Sequence, residues 1–232
     1  MKFISQGVLL SLLKGESIPK DSVRRIGEAY LLTREEAEGP PKYVASTQAH
    51  PANVLDRLTS ASDIFQRGQL FVNAEEGCGL FFLLKLPEGM RSLAEEVLTE
   101  LGRQGLGGER SSGKGAFQVE AVAVYGGPLL SLPRGGRFLT LSLFHPTQDE
   151  VADGVLEGAR YDAIVRGGWV YWGGDKGRRR LRIRCLTEGS VLKDVGKEDY
   201  GQVADVTPSG FDEGKRVFRY GRAFPIFFGG EG

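Results

Sequence analysis

The stretch that decides the fold is "EGMRSLAEEVLTELGRQGLGGERSSGKGAFQVEAVAVY", residues 88–125. Its first half places Met90, Leu93, Ala94, Val97, Leu98 and Leu101 at three- and four-residue spacing, which predicts an amphipathic helix ended by Gly102 and Gly105. Its last third alternates Phe117, Val119, Ala121 and Ala123 against Gln118 and Glu120, which predicts a strand. Between them, Gly108–Gly115 reads G-E-R-S-S-G-K-G, one residue short of the phosphate loop G-x-x-x-x-G-K-[S/T]. Gly115 stands where that motif needs a hydroxyl for magnesium, and the order helix, loop, strand reverses the strand, loop, helix order the motif requires. A nucleotide-hydrolysing loop is excluded.

The loop retains another chemistry. Gly105, Gly107, Gly108, Gly113 and Gly115 leave much of its backbone without Cβ atoms, so N–H groups can approach a ligand closely. Arg110 and Lys114 add positive charge, and Ser111 and Ser112 add neutral donors. Such a set suits a phosphodiester backbone; a solvated connector is the plain alternative.

Upstream, "QLFVNAEEGCGLFFLLKLP" predicts a hairpin with strands near Gln69–Asn73 and Leu80–Leu86. Residues 33–50, broken by Pro40 and Pro41, predict an exposed loop, and a brief helix is expected around Val8–Leu13. The resulting ββαβ run is most of a ferredoxin-like unit lacking its opening strand and helix. Downstream, "RFLTLSLF", a helix candidate in "HPTQDEVADGVLEGA", a kinked strand or strand pair in "RYDAIVRGGWVYWGG", and strands in "RRRLRIRCLTEGSVL" and the tail predict a second, sheet-rich α+β unit. The expected organisation is therefore α+β, with two ferredoxin-like (RRM-like) units side by side over 1–126 and 127–232.

Lys176, Arg178, Arg179, Arg180, Arg182 and Arg184 put six cations into nine residues with no acid among them. In a strand, Arg180, Arg182 and Arg184 would share one face, and an anionic partner would relieve their repulsion. An edge strand guarded by arginines is the alternative. Tyr161, Trp169, Tyr171 and Trp172 lie nearby and could stack on bases, though packing is their commoner role.

The remaining sequence excludes more than it suggests. With 30 basic and 30 acidic side chains the net charge is zero, so a nucleic-acid surface must be a local patch. Residues 1–100 carry 11 basic and 14 acidic side chains, and the remainder carries the compensating excess of bases. Cys78 and Cys185 have no spacing for a disulfide framework or metal, and no apolar run approaches the ~18 residues of a membrane span. A reducing cytoplasm is expected. His50 and His145 are the only histidines, and H-E-x-x-H, C-x-x-C and G-x-S-x-G are absent. No catalytic residue, metal or cofactor is expected.

Three stretches carry a resemblance: the glycine loop, "NVLDRLTSAS" (53–62), and "DVTPSGF…VFRYGRAFPI" (205–226). They resemble the RAMP superfamily of CRISPR proteins, and within it the type III-A (Csm) effector-complex subunit that caps the 5′ handle of the crRNA. The likeness runs from Lys2 to about Phe228. It implies a non-catalytic, RNA-binding scaffold for antiviral defence, touching a large polymerase-like subunit on one side and backbone RAMP subunits on the other. It implies that the loop glycines, Arg110, Ser111, Ser112 and Lys114 hold handle phosphates, with Asn53 and Arg57 from the second stretch; Asp56 and Arg57 could equally form an internal ion pair. The family's opening strand and helix are not found in this sequence, so an apolar face of the first unit is expected to need cover. The equivalent type III-B (Cmr) subunit, a RAMP endoribonuclease that processes precursor crRNA, and a protein scaffold that never touches RNA are the competing expectations.

Overall fold

The computed structural model describes residues 3–39, 43–55, 62–170, 177–211 and 214–229. At the start, β1 (Phe3–Ile4) pairs in parallel with β3 (Tyr30–Thr33), and β2 (Val23–Ile26) pairs antiparallel with β3. The helix α1 (Gln6–Leu13) lies where the apolar run predicts it. Ser5 caps it, its hydroxyl accepting from the Val8 N–H, and Val8 and Leu13 face inward.

Residues 45–55 and 62–72 depart from expectation. Ala45–Leu55 and Ser62–Val72 form strands β4 and β5 of a long antiparallel ribbon, so the predicted loop over 33–50 ends in a strand. Gln69–Val72 is strand as predicted, but its partner is Ala45–Gln48 rather than Leu80–Leu86. The reason lies in burial. Ile64 and Leu70 are exposed, and a ribbon without one buried face shows no apolar alternation to read. Pro51 fits because each strand of a two-stranded ribbon has an outer edge where a missing N–H costs no ladder bond.

The helix α2 (Arg91–Gln104) forms as its periodicity predicts and ends at Gly105. The flanking strands expected of a ferredoxin-like unit do not form ladders. Leu80–Leu86 and Phe117–Tyr125 pair with no strand among the described residues. Their apolar side chains stand in solvent, Phe81 by 90% and Val124 by 84%. Both runs have strand composition, but a strand exists only through its pairing.

Beyond Gly127, β6 (Arg137–Thr140) is the centre of a three-stranded sheet. The helix α3 (Gln148–Ala152) begins at a capping box in which Thr147 and Glu150 satisfy each other's backbone N–H. It is shorter than its sequence suggests and runs on as turns. Next come β7 (Ala163–Arg166) and β8 (Trp169–Val170), broken at Gly167–Gly168, then β9 (Arg178–Arg179) and β10 (Ile183–Leu186). The chain closes with β11 (Val191–Lys193), β12 (Gly201–Asp205), β13 (Phe218–Arg222) and β14 (Pro225–Phe228). Here β11 and β14 flank β6, β10 pairs with β7, β8 with β9, and β12 with β13, all antiparallel. Phe138, Phe144, Val155, Leu186, Leu192 and Tyr200 form the core. The Phe138 and Tyr200 rings lie 4.4 Å apart.

Packing divides the chain at 39/40 and 126/127: residues 1–39 group with 127–232, and 40–126 form a second unit. This differs from the expected division into 1–126 and 127–232. The cause is α1, which packs against the 3-10 turn Pro128–Ser131. The class is α+β.

Candidate nucleic-acid interface

The glycine loop starts where α2 stops. Gly105 has φ 82° and donates its N–H to Leu101 O at 2.7 Å. The chain leaves, makes a single 3-10 turn at Arg110–Ser112 and returns. Two hydrogen bonds close the base: Leu106 N–H to Gly115 O (2.8 Å) and Phe117 N–H to Gly102 O (3.0 Å). A Cβ at Gly105 would stand 2.7 Å from Lys114 O, and one at Gly115 would run into the Leu106 carbonyl. Both glycines are also left-handed, so the closed base excludes side chains twice over. At the tip the situation reverses. Gly107 and Gly108 face open space, and their N–H groups have no acceptor among the described residues.

The loop's charges are partly spent. Glu109, in a left-handed conformation at φ 57°, receives Lys114 Nζ at 2.7 Å and also pairs with Arg67 of β5. The Ser112 hydroxyl donates to Glu109 O at 2.8 Å. Arg110 is exposed and makes no ion pair among the described residues. The loop therefore presents an exposed guanidinium, unspent backbone N–H groups and an ammonium held beside a carboxylate. Sequence reasoning missed Arg67 and Glu109. An isolated Arg in a polar strand and a Glu between Gly108 and Arg110 carry no pattern, and only the fold joins them.

Asn53 is exposed on β4 opposite Ile64. It lies three residues from His50, which pairs with Arg67, so strand alternation puts it on the ribbon's other face. No described contact brings it to the loop. Asp56 and Arg57 lie outside the described residues, as do Tyr171, Trp172 and Lys176. His50 Nε2 is buried without a hydrogen-bond partner among the described residues, its ring 5.8 Å from that of Phe71.

The arginine segment is not one continuous strand. Arg180 turns back so that Nε (3.1 Å) and Nη2 (3.0 Å) both donate to Trp169 O, Arg182 runs alongside Gly167, and Arg184 alone of the three lies in β10. Arg182 and Arg184 are exposed and Arg180 is half-buried, and none of the three makes an ion pair among the described residues. Arg179 lies over the Trp169 ring, 5.1 Å from its centre. Two further arginines, missed by sequence reasoning, accompany them. Arg166 and Arg219 each hold a buried Nε with no acceptor among the described residues, and Arg219 donates through Nη2 to Gly167 O at 3.0 Å. Both stand near Cys185: burial pushes its thiol up, and the two guanidiniums partly offset that. His145 Nδ1 donates to Arg184 O at 2.8 Å.

Among the described residues, no group of three or more His, Cys, Asp or Glu could hold a metal, and no helix is long and apolar enough to cross a membrane.

Residues 134–228, the stretch holding the arginines and β13, match the family model of the CRISPR Csm4 C-terminal domain. A curated relative, "CRISPR system Cms protein Csm4" of Thermococcus onnurineus (strain NA1), is 28% identical over 182 residues, covering 76% of this chain and 52% of its own length. The chain thus spans about half the length of the curated relative it matches. In both comparisons the chain is Csm4-like.

Proposed function

We propose that this chain binds crRNA as a non-catalytic subunit of a type III-A effector complex in the cytoplasm, holding the 5′ handle of the guide in antiviral defence. In this proposal it bridges the large polymerase-like subunit and the backbone RAMP subunits, and two ferredoxin-like units underlie its full architecture. The observation that carries the proposal is the glycine loop, its base closed by Gly105 and Gly115 and its tip offering open N–H groups beside Arg110. An RNA phosphate needs that combination of unobstructed backbone donors and an available guanidinium. The arginines at 180, 182 and 184 supply a second cationic stretch.

The test is Arg110→Ala with Lys114→Ala in the full chain, titrated with guide RNA over a range of salt. Affinity should fall, and the log–log salt slope should shrink by about 0.7 for each phosphate the variant no longer holds. An unchanged slope removes the loop from the RNA site. Photo-crosslinks from Gly105–Gly115 to the handle in the assembled complex, with the RNA intact, would identify what the loop holds.

One observation favours a second reading, an endoribonuclease acting on precursor crRNA. In the neutral tautomer of His145 that gives its Nδ1–H to the Arg184 carbonyl, Nε2 carries the lone pair of a base. Uncut precursor accumulating with His145→Ala would establish that reading, and normal guide production would dismiss it.

A further inference from the structure

The tail strand β13, "FRYGR", has two unlike faces. Alternation puts Phe218, Tyr220 and Arg222 on one and Arg219 and Gly221 on the other. The second face is anchored. Arg219 bonds Gly167 O, and Gly221 is buried so closely against His145 that a Cβ there would stand 2.6 Å from the histidine's own. The first face is bare: Phe218 is 57% exposed and Tyr220 66%, and neither has a ring partner among the described residues. Across the ladder on β12, Val203 opposes Tyr220 and is itself exposed. Asp205 opposes Phe218, but Thr207 and Arg216 already engage its carboxylate. The Arg222 guanidinium has no partner among the described residues.

Two aromatic rings at i and i+2 of an anchored strand, followed two residues later by an uncommitted arginine, form an ordered surface without a concave cleft. Sheet faces of this composition take single-stranded nucleic acid, each ring stacking one base and the cation taking phosphate. An acidic peptide would use the arginine and waste the rings, and an apolar protein surface would leave the arginine unpaired. We propose that Phe218 and Tyr220 form a stacking platform for two bases of a single-stranded RNA, with Arg222 on the adjoining phosphate. This rests on the RNA-binding reading above and adds a binding surface in the unit that does not hold the glycine loop.

The experiment uses the full chain and a fluorescently labelled oligouridylate of about 12 nucleotides. Phe218→Ala and Tyr220→Ala should each weaken binding roughly tenfold without changing the salt slope, because stacking releases no counter-ion. Phe218→Tyr and Tyr220→Phe should bind like the parent, whereas Arg222→Ala should lower the slope by about 0.7. Circular dichroism checks that the variants fold. In the assembled complex, 4-thiouridine placed in the guide or in the target strand should crosslink to the peptide holding Phe218 and Tyr220, and the strand that reacts identifies the occupant. Alanine variants that keep parental affinity while Arg110→Ala with Lys114→Ala loses it would overturn the platform and leave the loop reading standing. Variants that fail to assemble with protein subunits yet keep RNA affinity would assign the face to a protein and overturn it too. A parent chain with no affinity for either RNA removes both readings.

Discussion

Asp194 shows how a single polar residue can hold a core in place. Arg134 forks onto its two carboxylate oxygens at 2.6 and 2.7 Å, Tyr200 donates its hydroxyl, and Gly196 donates its N–H. The Arg134 hydrogen bonds, helped by Tyr200 and Gly196 against the pull of burial, hold the carboxyl down to about 2 from an ordinary 3.8. A depressed carboxylate contributes stability above its unfolded pKa and loses it as pH falls through the folded one. The contribution is therefore whole at neutral pH, declines below about 4 and is gone below about 2, worth about 2 kcal/mol. Asp194→Asn should lower the unfolding free energy at neutral pH by about that amount and flatten the acid limb in that window; denaturant titrations across pH measure both. A parallel downward offset, with the acid limb unchanged, would mean the carboxylate's charge is not what matters. None of this was legible in the sequence, because Arg134 and Asp194 meet only through the fold. The same holds for Arg67 with Glu109 and for Arg166 with Arg219. Arg110 and Lys114 were legible because their chemistry is local, set by the glycines on either side.

Among the elements, α2 and the loop after it could be read because a helix and its glycine stop are written in consecutive residues. The β4–β5 ribbon could not, since its side chains lack the buried face that makes a strand visible as alternation. Leu80–Leu86 and Phe117–Tyr125 failed in the opposite way: their composition is strand-like, but among the described residues no neighbour completes a ladder. The loop permits a sharp test of what its glycines do. Gly115→Ala places a Cβ into the Leu106 backbone at a left-handed position, so the base must open. It should destabilise the chain by about 1–3 kcal/mol and speed hydrogen exchange at Leu106 and Phe117. Gly108→Ala meets open space and should change stability by less than about 0.5 kcal/mol. If RNA phosphates lie against the loop tip, that same small methyl should still weaken RNA binding. Parental affinity in Gly108→Ala would show that phosphates do not approach that backbone.

Across the whole molecule, net charge gives no sign of an RNA surface; the distribution does. Acidic side chains elsewhere balance the total, while Arg180, Arg182, Arg184, Arg219 and Arg222 stay without ion pairs among the described residues. The resemblance to type III-A RAMP subunits was legible in short motifs, but the grouping of residues 1–39 with the chain's second half was not, because it depends on packing between segments far apart in sequence. The expectation that Arg180, Arg182 and Arg184 line one strand face also gave way, to backbone bonds at Trp169 O and the turn at Gly167–Gly168. That difference has a measurable consequence. Arg180 spends two donors on a carbonyl, so it has fewer donors for bidentate phosphate binding, whereas the Arg182 and Arg184 side chains spend none among the described residues. Replacing all three by Ala should lower the RNA-binding salt slope by about 2 if each meets a phosphate. Replacing all three by Lys should restore the slope, which counts charges, without restoring the affinity, which depends on guanidinium geometry at Arg182 and Arg184. Recovery of both by Lys would mean that the patch acts only as a diffuse field. A slope unmoved by the Ala variant would assign these arginines to guarding a sheet edge and leave the RNA to the glycine loop.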